Sequence, residues 1–330
     1  MVIGSGLGGS IGLKKETTFG TGVTVDRWLP AASFGVQAVI EQTPVDGIAA
    51  GRLAAVEQII TKRRGTGQLV CQVPTNKFGA ILQGTWGVTP TPTQQAATTA
   101  YLQTYTTLAD NYGFSYTVQA GAPLAGGTMA QFTGTGGKIL ALELSSDISG
   151  VLNATVDFDF QNVVDATVYA SPTQVASSVL GGSGGAAGGC VVKLGTYSSE
   201  AAITGVRGIS VKIERTTGEL AGAVGAQPEG PSLGAVVSGT IETDWVNKTY
   251  FNDRYLAGTP TSLVVDWYGS LIASTYYNQV GVTCPKVYFG QSSPVVDGPN
   301  VIGVSVPFTA ALDTTNGLAL ARYQSTDTAL

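Results

Sequence analysis

Residues 35–42 read GVQAVIEQ and residues 208–215 read GISVKIER. Each run opens on glycine and then alternates apolar with mostly polar side chains. Val36, Ala38 and Ile40 share one face of an extended chain, as do Ile209, Val211 and Ile213. A period of two is that of a β-strand with one buried face. Eight matching residues carry little weight alone. They gain it when the flanking segments recur in the same order.

Outward from the first run, residues 43–66 form a long inter-strand segment ending in Thr61-Lys62-Arg63-Arg64-Gly65, whose charge and terminal glycine suggest a loop tip. QLVCQV (68–73) reads as a strand, and NKFGAILQGTWG (76–87) as a short helix with Asn76 as N-cap and Gly84 or Gly87 as stop. Residues 88–111, with Pro90, Pro92 and many Thr and Gln, read as a surface excursion. FSYTVQAG (114–121), KILALEL (138–144) and ATVDFDF (154–160) read as strands, the last two joined by a turn at Asp147–Asn153. In ATVDFDF, Val156, Phe158 and Phe160 share one face and Thr155, Asp157 and Asp159 the other.

Outward from the second run the series repeats. Residues 216–234 stand for 43–66, VVSGTIET (236–243) is a strand, and NKTYFNDRYLAG (247–258) matches the helix segment. SLVVDWYG (262–269) stands for FSYTVQAG, Lys286-Val287 for Lys138-Ile139, and IGVSVPF (302–308) for ATVDFDF. The offset between copies falls from 173 through 171 to 148, as loop insertions and deletions produce. We read an internal duplication, with a period far too long for a solenoid or propeller. The Gly-rich stretch 169–189 is the sharpest composition break and marks a linker. The expected organisation is an arm at 1–34, modules at 35–168 and 190–330, and the linker between them. The expected fold class is all-β with minor helix: two tandem β-sandwich or half-barrel modules, each with one short flanking helix.

Composition narrows function. Of 330 residues, 12% are charged, against about 25% in ordinary globular chains. Low charge with mean hydropathy +0.20 suggests a surface covered by copies of the same chain. A formal charge of −5 argues against gripping nucleic acid, though not against a surface that faces it. Three distant cysteines, Cys71, Cys190 and Cys284, make no disulfide framework. No signal peptide and no apolar run long enough for a membrane span is visible. With no histidine, Ser-His-Asp and Cys-His nucleophile sets are excluded, as are most zinc and iron ligand sets. Gly4, Gly6 and Gly9 spell GxGxxG, but only three residues precede them, so the strand that a dinucleotide site needs is missing. Asp157 and Asp159, at i and i+2, read as a solvated sheet face before an acid pair. No catalytic residue, cofactor or metal site is expected.

The sequence resembles the major tail (tail tube) proteins of long-tailed, siphovirus-like bacteriophages, especially those infecting actinobacteria. The resemblance spans essentially the whole chain. It rests on LGGSIGLKKETTFGTGVTVDRWLP, GRLAAVEQIITKRRGTGQLVCQV, FTGTGGKILALELSSDISGVLNATVDFD, GISVKIERTTGEL and VIGVSVPFTAALDTTNGLAL. It implies a structural protein of the virion tail, assembled in the host bacterial cytoplasm. Modules would join sheets edge to edge into rings stacked around a channel that conducts DNA during ejection. Three two-module chains per ring would give pseudo-sixfold symmetry. The implied partners are the chain itself, tape measure, tail terminator and distal tail proteins, and phage DNA passing without specific binding; no membrane is involved. Under this reading Asp157 and Asp159 face the lumen, and Lys62, Arg63, Arg64, Glu219 and Glu229 contact the next ring. The alternatives are an extracellular carbohydrate-binding or adhesin β-sandwich, or another virion protein such as a decoration or tail-terminator protein.

Overall fold

The computed structural model describes residues 6–45, 57–165, 168–173, 178–181, 189–218, 228–294, 296, 298–299 and 301–330. After a 3-10 turn at Gly6–Gly8, the first half contains β1 (Ser10–Lys15), β2 (Arg27–Leu29), β3 (Ala31–Val45), β4 (Glu57–Gln72), α1 (Gly79–Trp86), β5 (Thr93–Gln94) and β6 (Tyr101–Tyr105). It continues with β7 (Tyr116–Pro123), β8 (Met129–Asp147), β9 (Asn153–Phe160) and β10 (Asn162–Val164). The second half contains β11 (Cys190–Thr196), β12 (Ser199–Ala202), β13 (Val206–Thr217), β14 (Ser232–Asp244), α2 (Asn252–Ala257), β15 (Thr261–Ala273), β16 (Tyr276–Phe289), β17 (Gly303–Ala310) and β18 (Leu320–Ser325). The fold is all-β with two short helices, and all named strand pairs are antiparallel.

One run of pairings crosses the whole chain: β3-β4-β9-β8-β13-β14-β17-β16. Behind it lie two smaller groups, β2-β1-β7-β8-β10 and β12-β11-β15-β16-β18-β6-β5. Strands β8 and β16 belong to both layers. The first part of β8 pairs with β7, and from Lys138 onward β8 pairs with β9. The series β1, β2, β3, β4, helix, β7, β8, β9, β10 therefore has the same partners as β11, β12, β13, β14, helix, β15, β16, β17, β18. Only β5 and β6 have no counterpart; they fall in the expected surface excursion, and β6 pairs with β18 of the second half.

The core explains the crossing. Phe160 and Phe308 are almost fully buried. Phe160 stands opposite Gly65 and Phe308 opposite Gly239; the Phe160 ring lies over Gly67 and the Phe308 ring over Gly239, both positions with no side chain. Phe160 also covers the GTGG run of β8: a Cβ on Gly134 or Gly137 would come within 2.5 or 2.7 Å of its ring. Gly136 takes φ 63°, which an L side chain rarely adopts, and its amide donates to Glu16 Oε1 at 2.9 Å. The buried Glu16 carboxylate accepts three more hydrogen bonds, from Gly20 N, Ser115 Oγ and Thr117 Oγ1 at 2.7 to 3.0 Å. That satisfies a charge that would otherwise be costly to bury.

Several expectations change. Residues 10–29 were expected in an arm, but β1 and β2 lie in the second layer with Ile11, Leu13 and Leu29 buried. The two-residue alternation is there, but IGL is too short to stand out among glycines. Lys62, Arg63 and Arg64 are not a loop tip: they lie within β4, paired with Glu41, Ile40 and Val39. Helix α1 starts at Gly79 rather than after Asn76, without a side-chain cap; Asn76 instead accepts from Thr326 Oγ1 at 3.0 Å. Its stop is Gly87, left-handed at φ 65°, as Gly258 is for α2 at φ 61°. In the Gly-rich stretch, Leu180 is fully buried between bridges Pro74–Val179 and Val151–Gly181. Residues 46–56 and 219–227, within the two expected inter-strand segments, lie outside the described residues, as does Gly4.

Candidate lumen face and subunit edges

The long sheet turns one face to the helices and second layer and leaves the other open. Alternation in β9 buries Val156, Phe158 and Phe160 and puts Thr155, Asp157 and Asp159 on the open face. Register carries the pattern across the halves. Asp157 lies opposite Gln68 on one side and Ala141 on the other, and Ala141 lies opposite Glu214. One row along, Thr155, Glu143, Lys212 and Ser238 follow each other. Asp159 lies opposite Thr66. Asp147 and Glu242 flank Gly208 on the same sheet. Two hollows of about 580 and 300 Å³ open there, one lined by Gln68 and Asp157, the other by Asp147 and Glu242.

The open face is acidic. Gln68 Nε2 donates to Asp157 Oδ1 at 2.8 Å. Lys212 holds Glu214 at 2.6 Å. The hydrogen bond it donates to Glu214 raises the Lys212 ammonium above its ordinary value, and the charges of Glu214, Glu143 and Asp157 add to that. By alternation in β4, Lys62 and Arg64 share the face of Thr66 and Gln68, and Arg63 points the other way. All three lie beyond Gly65, where the pairing of β4 with β9 ends. Among the described residues no third strand pairs with that part of the β3–β4 hairpin.

Glu229 is placed differently from expectation. It forms a buried ion pair with Lys138, and Gly113 N donates to the same carboxylate oxygen at 2.6 Å. Lys138 Nζ also donates to Asn111 O at 2.6 Å. Burial lowers the Lys138 ammonium from its ordinary value, and Glu229 partly offsets this. Glu229 thus fastens the stem of the β13–β14 connection to the first half of its own chain. Glu219 lies outside the described residues.

The ends of the long sheet differ from its middle. In the middle, β13 is covered along Gly208–Glu214 by β8 residues Asp147–Ala141. Its counterpart β3 pairs with β4 alone among the described residues. At the other end β16 meets β17 only over Val287–Phe289. Sequence reasoning missed this seam, since nothing in GISVKIER says that its partner is ALELSSD (141–147), running antiparallel across the halves.

A wall-like antiparallel sheet with a duplicated pairing order, an acidic open face and, among the described residues, an open edge at β3 has the form of an assembly module. Among the described residues no group of three or more Cys, Asp or Glu is placed to hold a metal ion. The chain belongs to the phage tail tube protein family, whose model matches residues 6–310. No curated protein sequence matches it. It is therefore a structural component of a phage tail tube, and the family is not an enzyme class.

Proposed function

We propose that the chain polymerises as stacked rings around a channel that conducts DNA during ejection, with three two-module chains per ring. The observation that carries this is the repeated pairing order along β3-β4-β9-β8-β13-β14-β17-β16, with the outer edge of β3 open at one end among the described residues. Closure of such sheets into a ring removes the open edge, which is otherwise a template for uncontrolled pairing. A head-to-tail interface that closes laterally and stacks axially gives a tube. In this reading residues 35–168, with β1 and β2 added to them, and residues 190–330 are the two modules, and 169–189 connects them.

The open acidic face looks at the DNA. Asp157 and Asp159 repel phosphate and let the duplex slide without specific contacts. The projecting β3–β4 hairpin, with Lys62, Arg63 and Arg64, reaches the next ring, and Glu219 does so from the second module. Tape measure, terminator and distal tail proteins bound the tube, which assembles in the host cytoplasm. Cryo-EM of assembled tubes tests the stoichiometry: three chains per ring are expected, and six full chains would overturn the two-module ring.

A further inference from the structure

Two surfaces stand bare on this chain whose counterparts in the other half are buried and meet in a hydrogen bond. In the second half, Val211, Ile213 and Arg215 on one face of β13 are 1%, 1% and 7% exposed. Arg215 Nε donates to Thr85 O, in the last turn of α1, at 2.7 Å. All eight residues of α1 are buried. In the first half the same positions of the repeated motif are Ala38, Ile40 and Gln42. All three are exposed, Ile40 by 46%. Helix α2, aligned with α1 through Gly87 and Gly258, has no buried residue; Tyr255 is 40% and Leu256 74% exposed. Leu256 occupies the place of Thr85.

We propose that α2 of one copy packs on the bare face of β3 in the next copy, with Tyr255 and Leu256 against Ala38 and Ile40. This reproduces between chains the contact that α1 and β13 make within one. It rests on the ring reading and adds to edge pairing a second, apolar layer with a fixed direction. Gln42 stands where Arg215 does, so its amide donates to the carbonyl of Leu256. The apolar alternation of GVQAVIEQ, unspent inside its own chain, is explained by this occupant. The contact is heterologous: the two patches differ and lie in opposite halves, so it builds a ring or a spiral and not a two-fold dimer.

The test uses the full-length chain and a short bismaleimide. The three native thiols are buried and do not compete. Ile40→Cys chains mixed with Leu256→Cys chains should give a cross-linked dimer under assembly conditions, while each variant alone gives none. Leu256→Asp should keep the wild-type melting temperature and raise the protein concentration needed for tubes at least tenfold. Wild-type tubes without a cross-link in the mixture, or Leu256→Asp assembling at the wild-type concentration, would overturn the contact while leaving the ring reading in place. Wild-type protein that forms no rings or tubes by electron microscopy would overturn the ring reading itself.

Discussion

Phe160 shows how much one residue position organises. Its ring needs Gly67 under it and Gly134 and Gly137 beside it, because a Cβ at any of these would collide with it. Phe160→Ala should cost about 3–5 kcal/mol, as large buried aromatics do, read as a lowered midpoint in urea unfolding. Phe308→Ala should cost about the same, since its site repeats the pattern over Gly239. The cysteines give a second outcome at this scale. Burial pushes the Cys71, Cys190 and Cys284 thiols up to about 12, so little thiolate forms at neutral pH. Alkylation at pH 8 should leave all three unmodified until denaturant is added. Some of this was legible in the sequence. The split of ATVDFDF into an apolar and an acidic face could be read directly, and the structure has the same split. The strand character of Lys62–Arg64 could not, because charge and glycine mimic a turn while the group Gly65 makes room for is Val163, far along the chain.

At the scale of elements, the two halves are fastened by polar groups that no periodicity reveals. Replacing Glu229 by Ala leaves Lys138 buried without its counter-charge and should destabilise the protein by about 3–5 kcal/mol, measured by chemical denaturation. Lys138→Met with Glu229→Met should recover most of that loss, since the desolvation cost disappears with the pair. Helix α1 was found from its closing glycine rather than from an apolar stripe, because a helix buried all round has no stripe to show. Strand β6 was hidden for another reason. It lies between β5 and β18, the latter more than 200 positions later, and a short strand in a Thr- and Gln-rich segment has little local signature. Repeat order was the strongest signal available, since it depends on many weak matches agreeing rather than on any one motif.

At the scale of the whole molecule, the acidic face makes a prediction about transport. Phage carrying Asp157→Lys and Asp159→Lys should build tails of normal length and release DNA more slowly after triggering, with the delay shrinking as salt rises and screens the new phosphate contacts. Unchanged release kinetics, with both residues on the outer wall of the tube by cryo-EM, would remove them from the lumen. The seam between β8 and β13 has one further consequence. Both strands of that joint lie on one polypeptide, so it closes at an effective concentration set by chain connectivity and independent of how much protein the cell holds. Dilution can separate chains but cannot open this joint. In the proposed tube mass action acts only on contacts between copies, those of β3 with its neighbour and those that stack one ring on the next, and these control when polymer appears.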